Sequence, residues 1–321
     1  MKKYILLLLL VLLLAGCNGS REEAGPLPAQ IPETVPAMAV EAEAAALAEE
    51  VPPPTGVVLE PVASGVREER SDVAVVDYSN GSEGYIMAHY YGETDKRLKL
   101  LLTGPSATYN YDLPQGQWVV LPLSDGDGSY QAGIYRNVQG SEYAMVMLAE
   151  FDVTLRDEFA PFLRPNQYVN YLTAPETVTQ GAILCADLED PLEKVEAVYD
   201  FVVQNLRYDD EKAATVQSGY LPNLDEILEI KKGICFDYAA MMTAMLRSQE
   251  VPCKLVVGYA GNIYHAWISV WTEENGWVDG IIFFDGHMWK RMDPTFVSSA
   301  EDREEILDFV EHGNYTEKYL Y

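Results

Sequence analysis

The chain has 321 residues, of which 48% are hydrophobic and 11% aromatic, so it is long enough to bury a substantial core. Its formal net charge of −28 excludes phosphate-backbone binding of nucleic acid and disfavours electrostatic adhesion to anionic lipid. Any membrane attachment therefore has to be covalent.

The first residues supply a candidate anchor. Lys2 and Lys3 precede an apolar run from Tyr4 to Leu14. That run is short of the roughly 20 residues that span a bilayer, and it reads as a signal peptide. Leu14-Ala15-Gly16-Cys17 resembles a bacterial lipobox, which implies lipidation of Cys17 and a signal peptide over 1–17. The expected location is the extracytoplasmic face of the cell membrane. Three further cysteines remain, Cys185, Cys235 and Cys253. An odd count in an oxidising compartment points to a free thiol, and pairing of Cys185 with Cys253 stays open.

Residues 18–55 are rich in Pro, Ala and Glu and end on Pro52-Pro53-Pro54. With no apolar stripe, this segment reads as a solvated linker. Residues 56–158 alternate apolar and polar positions in short runs: Leu98, Leu100 and Leu102, then Tyr109 and Tyr111, then Tyr130, Ala132 and Ile134. Period two predicts half-buried strands, and six or seven of them predict a small antiparallel β-sandwich. Ser124 to Gly128 reads as the turn of a hairpin. Asp125 and Asp127 make too short a ligand set for a calcium loop.

Residues 159–321 form the second expected domain. Phe159 to Gly181 holds three prolines and reads as an irregular connection. Asp190 then caps a helix that starts at Pro191, with Val195, Val198, Tyr199, Val202 and Leu206 at helical spacing. Helices are also expected over Leu224 to Ile230 and from about Gly233 to Gln249. Strands follow at 254–259, 264–271 and 287–292, and a last helix at 300–310. Helices first and strands afterwards make an α+β domain.

Three segments carry chemistry. Cys235 follows Gly233 at the start of an amphipathic helix, where orphan N–H groups and the helix dipole favour a thiolate. Lys231 and Lys232 add positive charge, whereas Asp237 competes for it and is expected to turn away and cap backbone donors. His265 lies at the beginning of a strand. Asp293, before Pro294, ends another, where a carboxylate can accept from an imidazole N–H. Taken singly, these read as a buried thiol, a surface His and an Asp-Pro turn.

Together, Gly233-Ile234-Cys235, His265-Ala266-Trp267 and Asp293-Pro294-Thr295 resemble the three motifs of the transglutaminase-like superfamily, in order and at similar separations. The resemblance covers about Ala182 to Val297. It implies a papain-type fold in which Cys235 is the nucleophile, His265 the base and then acid, and Asp293 the orienting group. It further implies attack on an amide through a thioester, with hydrolysis and transamidation both open. The substrate would be a protein or peptide, with cell-wall peptide one candidate. The Cys235 N–H would supply one oxyanion donor, and Tyr208 is the candidate for the second. No cofactor is expected. The spacings Cys-x-x-Cys and His-x-x-x-His, which would signal a metal, do not occur. Trp267, Trp271, Trp277 and Trp289 read as core rather than channel wall. The competing reading is a non-catalytic surface binding or scaffold protein on the same fold.

Overall fold

Alternating burial organises the first half of the chain. In a computed structural model describing residues 54–279, 282–284, 289–291 and 315–321, strands β1 (Glu68–Arg70), β2 (Ala74–Asp77), β3 (Tyr85–Tyr90), β4 (Leu98–Thr103), β5 (Thr108–Asp112), β6 (Trp118–Pro122), β7 (Gly128–Gln139) and β8 (Glu142–Val153) follow in order. They form two four-stranded antiparallel sheets, β1-β2-β3-β6 and β5-β4-β7-β8. Leu98, Leu100 and Leu102 are buried while Lys99, Leu101 and Thr103 between them are half-exposed, as period two requires. Ile86 and Leu121 of one sheet share a core with Leu100, Tyr111 and Ile134 of the other, so the pair is a sandwich.

The acidic turn between β6 and β7 ties loops together. Asp125 accepts from the backbone N–H of Ser106 and Ala107 and from the Tyr109 hydroxyl (3.0, 2.9 and 3.0 Å). Asp127 accepts from Leu155 N–H at 2.7 Å.

The second half is mixed, giving an α+β chain: α1 (Pro175–Cys185), α2 (Pro191–Asn205), β9 (Arg207–Tyr208), α3 (Asp210–Thr215), α4 (Leu224–Ile230), β10 (Lys232–Gly233), α5 (Cys235–Arg247), β11 (Cys253–Ala260), β12 (Ile263–Thr272), β13 (Gly276–Asp279), β14 (Ile282–Phe284), β15 (Trp289–Arg291) and β16 (Tyr315–Leu320). The Asp190 carboxylate caps α2 by accepting from Leu192 and Glu193 N–H, and the predicted apolar stripe is buried. The turn from Ser124 to Gly128 is not that of a hairpin, because β6 and β7 belong to different sheets. Two expectations about the helices also change. Helix α1 occupies part of the stretch read as irregular, because Pro175 stands at its first turn rather than breaking it. Its leading donors, Glu176 N–H and Thr177 N–H, are satisfied by Asp225 on α4 (3.2 and 2.8 Å). Helix α5 is not amphipathic. Every residue from Asp237 to Arg247 is buried, because α1, α2 and α4 cover one side and β11 and β12 the other.

Strands β13-β12-β11-β16 form a third four-stranded antiparallel sheet, and β14 pairs with β15. One continuous core cluster runs from the sandwich through Tyr168 to α5 and Tyr321. The signal peptide, most of the linker, Asp293 and the predicted helix at 300–310 lie outside the described residues. Among the described residues no helix is long and apolar enough to cross a membrane.

Candidate active site

Cys235 is placed by a short sequence of backbone constraints. Lys231 ends α4 in the left-handed conformation at φ 54°. The chain then runs parallel to β9, with Lys232 opposite Arg207 and Gly233 opposite Tyr208. Asp209 N–H donates to Gly233 O at 2.9 Å and closes the pairing. Ile234 is extended, and Cys235 is the first residue of α5. The Asp237 carboxylate reaches back to accept from Ile234 N–H at 2.9 Å, the backbone-capping role expected of it.

The remaining capacity of Asp237 was not legible in the sequence. Fully buried, it also accepts from Lys212 Nζ at 2.5 Å and Tyr220 Oη at 2.6 Å. This anchors the segment after α3 to the first turn of α5. The Tyr220 hydroxyl is pushed well up by burial and by its bond to Asp237, so it stays a donor. Lys232 is taken by Asp209, at 3.0 Å.

His265 is the third residue of β12, pairs with Gly258 on β11, and is buried. Its ring lies 6.2 Å from that of Trp267 and 6.5 Å from that of Tyr315, centroid to centroid. Cys235 and His265 both line one cavity of about 550 Å³, and Tyr208 lines it too. Burial first, and then the charge at Cys235, pushes the Tyr208 hydroxyl up to about 12. It therefore remains protonated, and able to donate, throughout the neutral range.

Three of the tryptophans are packing residues. Trp267 is buried, Trp271 packs on Phe159 at 4.4 Å, and Trp277 packs on Phe162 at 5.2 Å. What the sequence did not reveal is which other segments line the cavity. Lys99, Asn110 and Asp112 come from β4 and β5 of the sandwich, and Gln217 to Tyr220 from the segment after α3. Gly219 joins the two, at φ +90° against Asp112, where a Cβ would collide with the carboxylate.

Cys185, Cys235 and Cys253 are all free thiols. Burial raises Cys185 and takes Cys253 up to about 11. Cys235 alone of the three is partly exposed.

Residues 182–279 match the sequence profile of the transglutaminase-like superfamily, and residues 1–18 match the prokaryotic membrane lipoprotein lipid attachment site. The chain is 31% identical over 124 residues to the uncharacterized protein YebA of Bacillus subtilis, covering 32% of this chain and 17% of that protein. It is 29% identical over 98 residues to a protein-glutamine gamma-glutamyltransferase of Pseudomonas aeruginosa, covering 26% and 13%. The chain thus spans less than a fifth of either relative. Among solved structures, the periplasmic domain of TgpA from Pseudomonas aeruginosa aligns at TM-score 0.34 and 16% identity over 76% of this chain and 80% of that one. Red sea bream transglutaminase aligns at TM-score 0.26 and 12% identity over 73% and 56%.

Proposed function

We propose that this membrane-anchored lipoprotein, which carries a transglutaminase-like domain, is a cysteine enzyme acting on amide bonds of proteins or peptides at the extracytoplasmic face of the bacterial cell membrane. One observation carries the reading: a half-exposed thiol at the first residue of a helix and a buried imidazole on a strand line the same cavity.

In this reading His265 takes the proton of Cys235, and the thiolate attacks the amide carbon. The oxyanion is met by the Cys235 N–H at the start of α5 and by the Tyr208 hydroxyl, which burial keeps protonated. Collapse breaks the C–N bond, His265 protonates the departing nitrogen, and a thioester remains on Cys235. Water then gives hydrolysis, or an amine gives transamidation. Asp293 is assigned to accept from the imidazole and hold its tautomer. The location of the lipid attachment site favours peptides of the cell wall or secreted proteins as substrates, and hydrolysis over transfer.

The test is to incubate the full chain with glutamine-containing and cell-wall peptides plus a tagged primary amine, and to analyse by mass spectrometry. An acyl adduct on Cys235 is expected, with loss of all turnover in Cys235→Ala. Tag incorporation would identify transfer, and shortened or deamidated peptides alone would identify hydrolysis. Turnover that survives Cys235→Ala would refute the assignment.

A further inference from the structure

The sandwich contributes Lys99, Asn110 and Asp112 to the lining of the cavity that holds Cys235 and His265, and with Arg97 bound to Asp112 the charges of this group do not cancel. Lys99 on β4 stands directly across the ladder from Asp112 on β5. Its ammonium lies 3.2 Å from Asp112 Oδ1. The same carboxylate is already held by Arg97, through Nε to Oδ1 at 2.9 Å and Nη2 to Oδ2 at 2.8 Å. Two cations thus share one anion, and the group carries an excess positive charge. Burial works against ionisation of Asp112, but Arg97 and Lys99 outweigh it and hold the carboxyl below its ordinary range.

Lys99 has only 16% of its side-chain surface exposed, yet it lines the cavity. An ammonium has three donors, and one is directed to Asp112. Asn110, on the next strand, lines the same cavity. Apart from Cys235 and His265, Lys99 and Asp112 are the titrating groups other than tyrosine on the described lining. A chain of net charge −28 has therefore placed an ammonium on the lining of this cavity, with Arg97 beside it offsetting the Asp112 carboxylate. A half-buried ammonium with free donors and a surplus of charge is complemented by a carboxylate.

We infer that the β4–β5 edge of the sandwich is the specificity wall of this site and that Lys99 selects acyl donors bearing a carboxylate near the reactive amide. This rests on the cysteine-nucleophile reading above and names its substrate class. It also gives the sandwich a part in the reaction other than that of a spacer.

The test compares alkylation of Cys235 in the full chain by iodoacetate and by iodoacetamide, which differ in charge at nearly constant size. The readout is the ratio of the two rates, followed by mass spectrometry at low ionic strength. Lys99→Gln is expected to lower the iodoacetate to iodoacetamide ratio about three- to tenfold, and added salt to shrink that difference. Lys99→Arg should keep the ratio near that of the parent chain. Asp112→Asn should raise it, and tests the same charge balance with opposite sign if Lys99→Gln does not fold. In a second arm, the preference in kcat/KM for donors with Glu rather than Gln beside the reactive residue should fall in Lys99→Gln. A Cys235 that alkylates normally, with a ratio unmoved by Lys99→Gln and Asp112→Asn, overturns the specificity wall alone. A Cys235 inert to both reagents overturns the nucleophile reading and this inference with it.

Discussion

Asp237 folds back over Gly233 so closely that a Cβ at residue 233 would lie 2.8 Å from Asp237 Cβ and 3.0 Å from its Oδ2. The glycine before the candidate nucleophile thus has a packing cause. It clears space for the carboxylate that caps Ile234 N–H and fixes where α5 begins.

Gly233→Ala is expected to destabilise the chain by about 1–3 kcal/mol through this overpacking and to slow alkylation of Cys235. Urea denaturation and the alkylation rate measure the two effects. Unaltered values for both would remove the packing explanation.

Lys212→Met leaves the buried Asp237 carboxylate without its cation. Breaking such a pair from one side costs roughly 3–5 kcal/mol, and the lower end is expected because Lys212 is 24% exposed. The double variant Lys212→Met with Asp237→Asn should recover part of the loss. A double-mutant cycle showing simple additivity would contradict the coupling.

Among the thiols, Cys235 should alkylate first at neutral pH. Cys185 and Cys253 should react only on unfolding, since both are buried and burial raises both thiols. His265→Ala should slow the Cys235 reaction. Peptide mapping of the label gives the order, and prior labelling of Cys253 would contradict it.

Tyr208→Phe removes a donor from the cavity without removing its ring. If that hydroxyl serves the oxyanion, turnover should fall about 10²–10³-fold, mainly in kcat. A change confined to KM would move Tyr208 from the oxyanion to ground-state binding.

The tyrosines predict an alkaline limit. Burial first, then neighbouring charge, pushes Tyr168 and Tyr208 each up to about 12, against an ordinary value of about 10. Between those values the folded state holds protons that the unfolded state has lost. Their contribution is therefore complete below about pH 10 and is lost as pH rises through about 12. Asp112 has the opposite sign: its depressed value stabilises the fold above the ordinary aspartate range, and the gain disappears in acid. Melting temperature measured against pH should decline on both sides, with tyrosinate absorbance rising as the chain unfolds in base.

Local structure was readable where cause and effect lie close in sequence. Asp190, Pro191 and the Val195 to Leu206 stripe specify α2 within a few turns, and Leu98 to Leu102 specify one face of β4. Helix α1 was missed because Asp225, about fifty residues away, satisfies its leading donors. Burial of α5 on all sides was missed for a similar reason: periodicity reports how apolar a face is, and not how many elements cover it.

By itself, then, the sequence determined helix α2 and the alternating strands of the first half, a lipid-attachment signal, and a cysteine and histidine in segments that read as a helix start and a strand start. Only the tertiary structure decided that these two side chains share a cavity, that Lys212 and Tyr220 grip Asp237, and that Lys99 and Asp112 line the same cavity. Periodicity and caps act over a few residues, whereas Lys99 on β4 and Cys235 on α5 come to line one cavity across more than a hundred residues of chain through burial, which is non-directional and leaves no partner-specific mark in either segment.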